Sequence, residues 1–177
     1  MILNEEQCLL LVIDVQEKLL KAVFNKEIVE KKSRIIVKAA EALEIPIFVT
    51  EQYPQGLGES IEGIKDSAQV FIKTSFNAMY QQELSQALKV TNKKQVIILG
   101  IETHICVHQT VAALLQEGFD VTVLRDGCGS RSELEYQSAL AFMKQNGAKI
   151  KTTEMVLFEL LKTAKHPKFK ELQSLIK

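Results

Sequence analysis

The run Cys8-Leu9-Leu10-Leu11-Val12-Ile13 is apolar without interruption and stops on the carboxylate of Asp14. A strand built from it has no polar face to turn to water. It must be covered on both sides, which is the situation of a central strand in a parallel sheet. Five further short runs share this character: Ile45–Thr50, Gln69–Lys73, Val96–Leu99, Phe119–Leu124 and Ala148–Lys151. They are bounded by Gly, Pro and polar residues and are too short for buried helices.

Helical periodicity fills the gaps. Ile28–Leu43 reads as a helix with a buried stripe of Ile28, Ile35, Ile36, Ala39, Ala40 and Leu43. Gln81–Leu88 is a short helix. Another begins near His104, carries Ile105, Val111, Ala112, Leu114 and Leu115 on one face, and stops at Gly118. Ser132 and Glu135 make a capping box for a helix to about Gln145. Thr153–Leu161 and Phe169–Ile176 complete the set. Strands alternating with helices imply an α/β chain: a three-layer, doubly wound, six-stranded and mostly parallel sheet flanked by helices, with Rossmann-like topology. At 177 residues and 46% hydrophobic content, one domain over 1–177 is expected.

Several function classes lose support at once. Lys plus Arg and Asp plus Glu each total 22, so the net charge is zero, which argues against nucleic acid or an anionic membrane as partner. The first βα turn, Asp14-Val15-Gln16-Glu17-Lys18, has no glycine, so neither a dinucleotide fingerprint nor a P-loop is present. The three cysteines, Cys8, Cys106 and Cys128, show no paired spacing or zinc pattern. The opening M-I-L-N-E-E-Q is acidic and unlike a signal peptide, and no apolar run approaches a membrane span. A soluble cytoplasmic protein without cofactor is expected, acting on a small molecule.

Charged and nucleophilic residues recur where strands end. Asp14 closes the first strand, Lys73 the third, and Cys106 follows the fourth in the first turn of a helix. In a parallel sheet these ends share one edge, and ligands bind there at the switch point. Helix N–H groups favour a thiolate at Cys106. Asp14 can take the thiol proton and Lys73 can stabilise both charges, which makes an activated nucleophile. Each residue also has a plain alternative: a small cysteine at a strand–helix junction, a loop acid, a solvated lysine.

Three motifs, L-L-V-I-D-V-Q around Asp14, F-I-K-T-S-F-N around Lys73 and I-L-G-I-E-T-H-I-C-V around Cys106, resemble those of the isochorismatase-like cysteine hydrolases over nearly the whole chain. R-D-G-C-G-S-R-S at 125–132 resembles the family's loop after the fifth strand. The Glu51–Gly58 segment and the His166–Lys170 ending look closer to the isochorismatase domain-containing branch than to nicotinamidases. The resemblance implies Asp14 as general base, Lys73 as electrostatic partner and Cys106 as nucleophile. It implies a cis peptide at Ile101–Glu102 and an oxyanion hole from the backbone N–H groups of Glu102 and Cys106. The implied reaction is C–N hydrolysis through a thioester, with Gln16, Tyr53 and Phe76 as pocket walls. Nicotinamidases bind a metal through Asp-x-His after the second strand. Here that position reads Glu51-Gln52-Tyr53, so no metal is expected.

His104 and His108 flank Cys106 but point to different helical faces from it or serve the junction, and Cys8 reads as core. Two other functions compete: a non-catalytic oligomeric scaffold, and a peroxide-reactive thiol at Cys106 resolved by Cys128. A homo-oligomer is expected from the resemblance. The apolar terminal helices, with Val156, Leu157, Leu160, Leu161, Phe169, Leu172 and Ile176, either supply its interface or cover the sheet.

Overall fold

A computed structural model describes residues 2–177. Six strands, β1 (Cys8–Ile13), β2 (Ile47–Gln52), β3 (Gln69–Lys73), β4 (Gln95–Ile101), β5 (Asp120–Gly129) and β6 (Lys149–Lys151), form one sheet in the order β3-β2-β1-β4-β5-β6. Every pairing is parallel. All six residues of β1 and all seven of β4 are buried, as uninterrupted apolar strands demand. The order reverses between β1 and β4, so a crevice opens where Ile13 pairs with Thr50 on one side and Gly100 on the other. Gly100 has φ +139°, and a Cβ there would overlap the Ile13 carbonyl oxygen. Only glycine lets the two strands close up at this seam.

Eight helices connect and cover the strands among the described residues: α1 (Glu17–Ala22), α2 (Lys26–Ala42), α3 (Pro54–Leu57), α4 (Gln82–Val90), α5 (His108–Gln116), α6 (Glu133–Gln145), α7 (Thr153–Leu161) and α8 (Phe169–Ser174). α2 packs with α1 and α7, and α5 packs with α6, which flanks the sheet with two helical layers. Ser132 accepts from the Glu135 N–H at the start of α6, the first half of the expected capping box. No helix among the described residues is long and apolar enough to cross a membrane.

The structure corrects three local expectations and decides between two alternatives in a fourth. Ile28 is 53% exposed; the expected Ile35, Ile36, Ala39 and Ala40 are buried, and Val29, Ser33 and Val37 join them in the stripe of α2. β2 runs on through Glu51 and Gln52, past the expected end at Thr50. The glycine-rich segment after residue 124 is also strand: Val123 pairs near Ile98 but Cys128 pairs with Gly100, so β5 bulges and then resumes. Its glycines serve close packing, since a Cβ on Gly129 would lie 3.0 Å from Asn25 and Val29. Finally, Val156, Leu157, Leu160, Leu161 and Leu172 are buried, so the terminal helices cover the core and offer these side chains to no partner.

Candidate active site

Asp14 leaves β1 in the left-handed region, φ +51°, with its N–H bonded to Thr50 O at 3.1 Å. That turn directs its carboxylate across the end of β2. Oδ1 accepts from the Thr50 hydroxyl at 2.7 Å and Oδ2 from Lys73 Nζ at 2.6 Å. Lys73 reaches inward from the edge strand β3. Its ammonium also donates to Gln52 Oε1 (2.6 Å) and Ser75 O (3.1 Å). Both charged side chains are fully buried. A buried pair persists only where the remaining polar positions are satisfied, and Thr50, Gln52 and Ser75 do that here.

Cys106 lies in a π-helical turn, Thr103–Val107, between β4 and α5. Such a turn carries wider i→i+5 spacing and is common at functional sites. The Ile101–Glu102 peptide just before it is cis. Asp14 and Lys73 lie near enough for both charges to act on the Cys106 thiol, with the Glu102 backbone alongside. Burial and the Asp14 charge push the thiol up to about 12, against the opposing pull of Lys73. Burial and Asp14 therefore oppose the thiolate that a helix start favours. Thr110, buried on α5, donates to Cys106 O (2.7 Å) and accepts from Ala78 N (3.0 Å). It ties the cysteine turn to the segment that follows Lys73.

Beside the thiol is a cavity of ≈ 270 Å³. Leu19, Leu57, Phe76, Ile101 and Ile105 give it apolar walls; Gln52, Glu102, Cys106 and Arg131 complete the lining. Phe76 is thus where a wall was expected. Gln16 is not: its buried amide clamps both backbone groups of Gln52 and the carbonyl of Gly58, holding the β2 exit to the β1 exit. Tyr53 is not either, being half exposed at the start of α3 and outside the lining. Residues missed in the sequence complete the site. Thr50 and Gln52 are polar strand-end residues beside Asp14, a signal that was legible. Arg131 is 29 positions from Glu102, yet donates to its carboxylate from Nε (3.1 Å), Nη2 (2.6 Å) and its own N–H (3.1 Å). The guanidinium holds the Glu102 carboxyl below the usual range.

The other singled-out residues stand apart. His104 shares a 3.1 Å hydrogen bond with Ser130 Oγ, and His108 packs edge-on against Phe142. Cys128 is fully buried in β5, and Cys8 is core, bonded to Gln95. The position at which nicotinamidases hold a metal does not fit one here. Glu51 is committed to Ser60 N–H (2.7 Å) and Lys65 (3.5 Å), and among the described residues no three His, Cys, Asp or Glu side chains converge.

Comparison with known proteins agrees with this architecture. The isochorismatase domain model matches residues 8–155. Isochorismatase domain-containing protein 2 of Xenopus laevis is 40% identical over 176 residues, spanning 98% of this chain and 85% of that protein. A solved MAR1 ribonuclease from Caenorhabditis elegans superposes with a TM-score of 0.93 at 38% identity, covering 99% of this chain and 92% of that one. YcaC from Pseudomonas aeruginosa, solved with hexane-2,5-diol and covalent acrylamide, gives a TM-score of 0.94 at 25% identity over 99% and 90% of the two chains. Escherichia coli YcaC, described as an octameric hydrolase of unknown specificity, gives 0.90 at 26% over 98% and 95%.

Proposed function

This chain belongs to the isochorismatase family, and we propose that within it the protein is a metal-independent cysteine hydrolase that cleaves a C–N bond of a small molecule. One observation carries this reading: the Asp14 carboxylate, paired with the Lys73 ammonium, lies where its charge acts on the Cys106 thiol, and that thiol lines a cavity. A thiol held near 12 is harmless at rest. It becomes a nucleophile only when Asp14 takes its proton as the sulfur attacks a carbonyl carbon. Lys73 then faces a neutral carboxyl and a reacting sulfur, and its charge favours the developing negative charge.

The steps balance without a further reactant except water. Sulfur adds to the carbonyl, and the oxyanion is met by the N–H groups of Glu102 and Cys106. Protonated Asp14 gives its proton to the leaving nitrogen, the C–N bond breaks, and ammonia or an amine departs. Water then loses a proton to Asp14 and attacks the thioester. The acid leaves as the C–S bond breaks, and the sulfur takes the proton back. Covalent acrylamide in the Pseudomonas YcaC structure supports the reading, since acrylamide is an electrophile captured by nucleophilic side chains.

We also read the chain as a homo-oligomer. The E. coli relative is octameric, and the edge strand β3 leaves Val70 and Ile72 exposed beside Phe76 and Tyr80. The test of activity is ammonia release from a panel of small amides by wild type, Cys106→Ser and Asp14→Asn, with a ribonucleotide oligomer in the same panel. Amide turnover lost in both variants is expected. RNA cleavage that survives Cys106→Ser, with no amide turned over, would overturn the proposal in favour of the activity named for the C. elegans relative.

A further inference from the structure

Every charge at the site is cancelled one for one. Behind the thiol, Asp14 faces Lys73 at 2.6 Å, both fully buried. On the cavity wall the charged residues are Glu102 and Arg131, and they face each other. That second pair is a fork: two guanidinium nitrogens and the Arg131 backbone N–H all reach one carboxylate. Such bidentate geometry resists displacement by an incoming ion. The Glu102 side chain is only 9% exposed while that of Arg131 is 63% exposed, so the guanidinium is the outer partner. The remaining polar liner, Gln52, is also engaged, its oxygen by Lys73 and its nitrogen by Thr74 O. What is left facing a ligand is mainly Leu19, Leu57, Phe76, Ile101 and Ile105.

A ligand carboxylate or ammonium entering this space would lose part of its water against the apolar walls and find no unmatched countercharge. Burying an unpaired ion is among the most unfavourable events in a protein interior. Size is restricted as well. The volume of ≈ 270 Å³ equals about nine water molecules at their liquid share and falls below the range of drug-sized pockets.

We propose that the Glu102–Arg131 pair is the specificity element of the site, and that it restricts the protein to small, uncharged amides with an apolar acyl group. The inference rests on the hydrolase reading above and deepens it. Removing either partner exposes the charge of the other, so the selectivity should invert in a sign-dependent way. Glu102→Gln leaves Arg131 uncompensated and admits anions. Arg131→Gln leaves Glu102 uncompensated and repels them further.

The test uses two thiol reagents matched in size and differing in charge, iodoacetamide and iodoacetate. Alkylation rates at Cys106 are followed by peptide mass spectrometry in the intact protein and compared with free glutathione. The neutral-to-anionic rate ratio at Cys106 is expected to exceed that of glutathione at least tenfold. Glu102→Gln should lower that ratio and Arg131→Gln should raise it. In parallel, isobutyramide should release ammonia at least tenfold faster than succinamate or glycinamide. A Cys106 alkylated with the glutathione ratio, unmoved by either substitution, overturns this inference and leaves the hydrolase reading intact. A Cys106 inert to both reagents, with no amide turned over, overturns both. Arg131 is mostly exposed, so Arg131→Gln keeps the test decisive even if Glu102→Gln fails to fold.

Discussion

Lys73 Nζ lies 2.6 Å from Asp14 Oδ2 with neither side chain open to solvent. Removing one partner strands the other charge in the interior. Lys73→Met is therefore expected to lower unfolding free energy by about 3–5 kcal/mol. The double substitution Asp14→Asn, Lys73→Met should recover most of that loss. Urea unfolding of Lys73→Met, Asp14→Asn and the double variant measures it; additive losses would exclude the pairing as the cause.

Asp14 raises the Cys106 thiol and is also its proposed base. These two roles separate on substitution. Asp14→Asn removes the negative charge that disfavours the thiolate, so ultraviolet thiolate absorbance should appear at lower pH than in wild type, which titrates toward about 12. Amide hydrolysis should nevertheless fall, by roughly 10²–10⁴-fold, because no base remains to shuttle protons. The variant would have a more ionised thiol and less activity. A thiol titration unmoved by Asp14→Asn would sever the link.

The Thr110 hydroxyl joins Ala78 N–H to Cys106 O inside the protein. Thr110→Val keeps the shape and loses both bonds. The stranded Ala78 N–H should cost about 1–3 kcal/mol in stability. A drop in kcat larger than in Thr110→Ser, which keeps the hydroxyl, would mark Thr110 as a positioning residue for the cysteine turn.

Two glycines with positive φ should respond very differently to alanine. Gly118, φ +82°, has nothing near a new Cβ, so Gly118→Ala carries mainly backbone strain of about 1–2 kcal/mol. Gly100→Ala would drive a methyl into the Ile13 carbonyl at the seam. It is expected to abolish soluble folded protein, while Gly118→Ala gives a modest fall in Tm by calorimetry.

If the β3 edge carries self-association, Ile72→Lys should reduce the mass measured by light scattering, leaving the circular dichroism unchanged. A charge at a buried interface position opposes assembly, whereas at a free surface it is neutral. An unchanged mass would move the interface elsewhere.

Much of this was legible in the sequence because the strands announce themselves. Cys8–Ile13 cannot be other than a strand covered on both faces, and its end at Asp14 already located one side of the crevice. Gly127 and Gly129 misled because glycine marks turns more often than close packing; only the neighbouring Leu99 and Asn25 reveal its use here. The forces that raise the Cys106 thiol are hidden for a related reason. Helix position is written in the sequence, but burial and the approach of Asp14 arise only when β1 and β4 meet. Gln16 looked like a ligand-facing amide, yet its partners are backbone groups 36 and 42 positions away. Pairs such as Glu102–Arg131 have no local signature at all.

The strand order has one more consequence. The half of the sheet made of β3, β2 and β1 comes entirely from residues before Asn92, and the half made of β4, β5 and β6 entirely from residues after it. The first half holds Asp14 and Lys73; the second holds Cys106. A cut in the Asn92–Lys94 turn thus divides the molecule into one fragment with the acid–base pair and another with the sulfur. Neither piece owns the complete set, and the set exists only when they dock. The protein is, in effect, a two-component device already drawn along a single line, suited to complementation between separately made fragments.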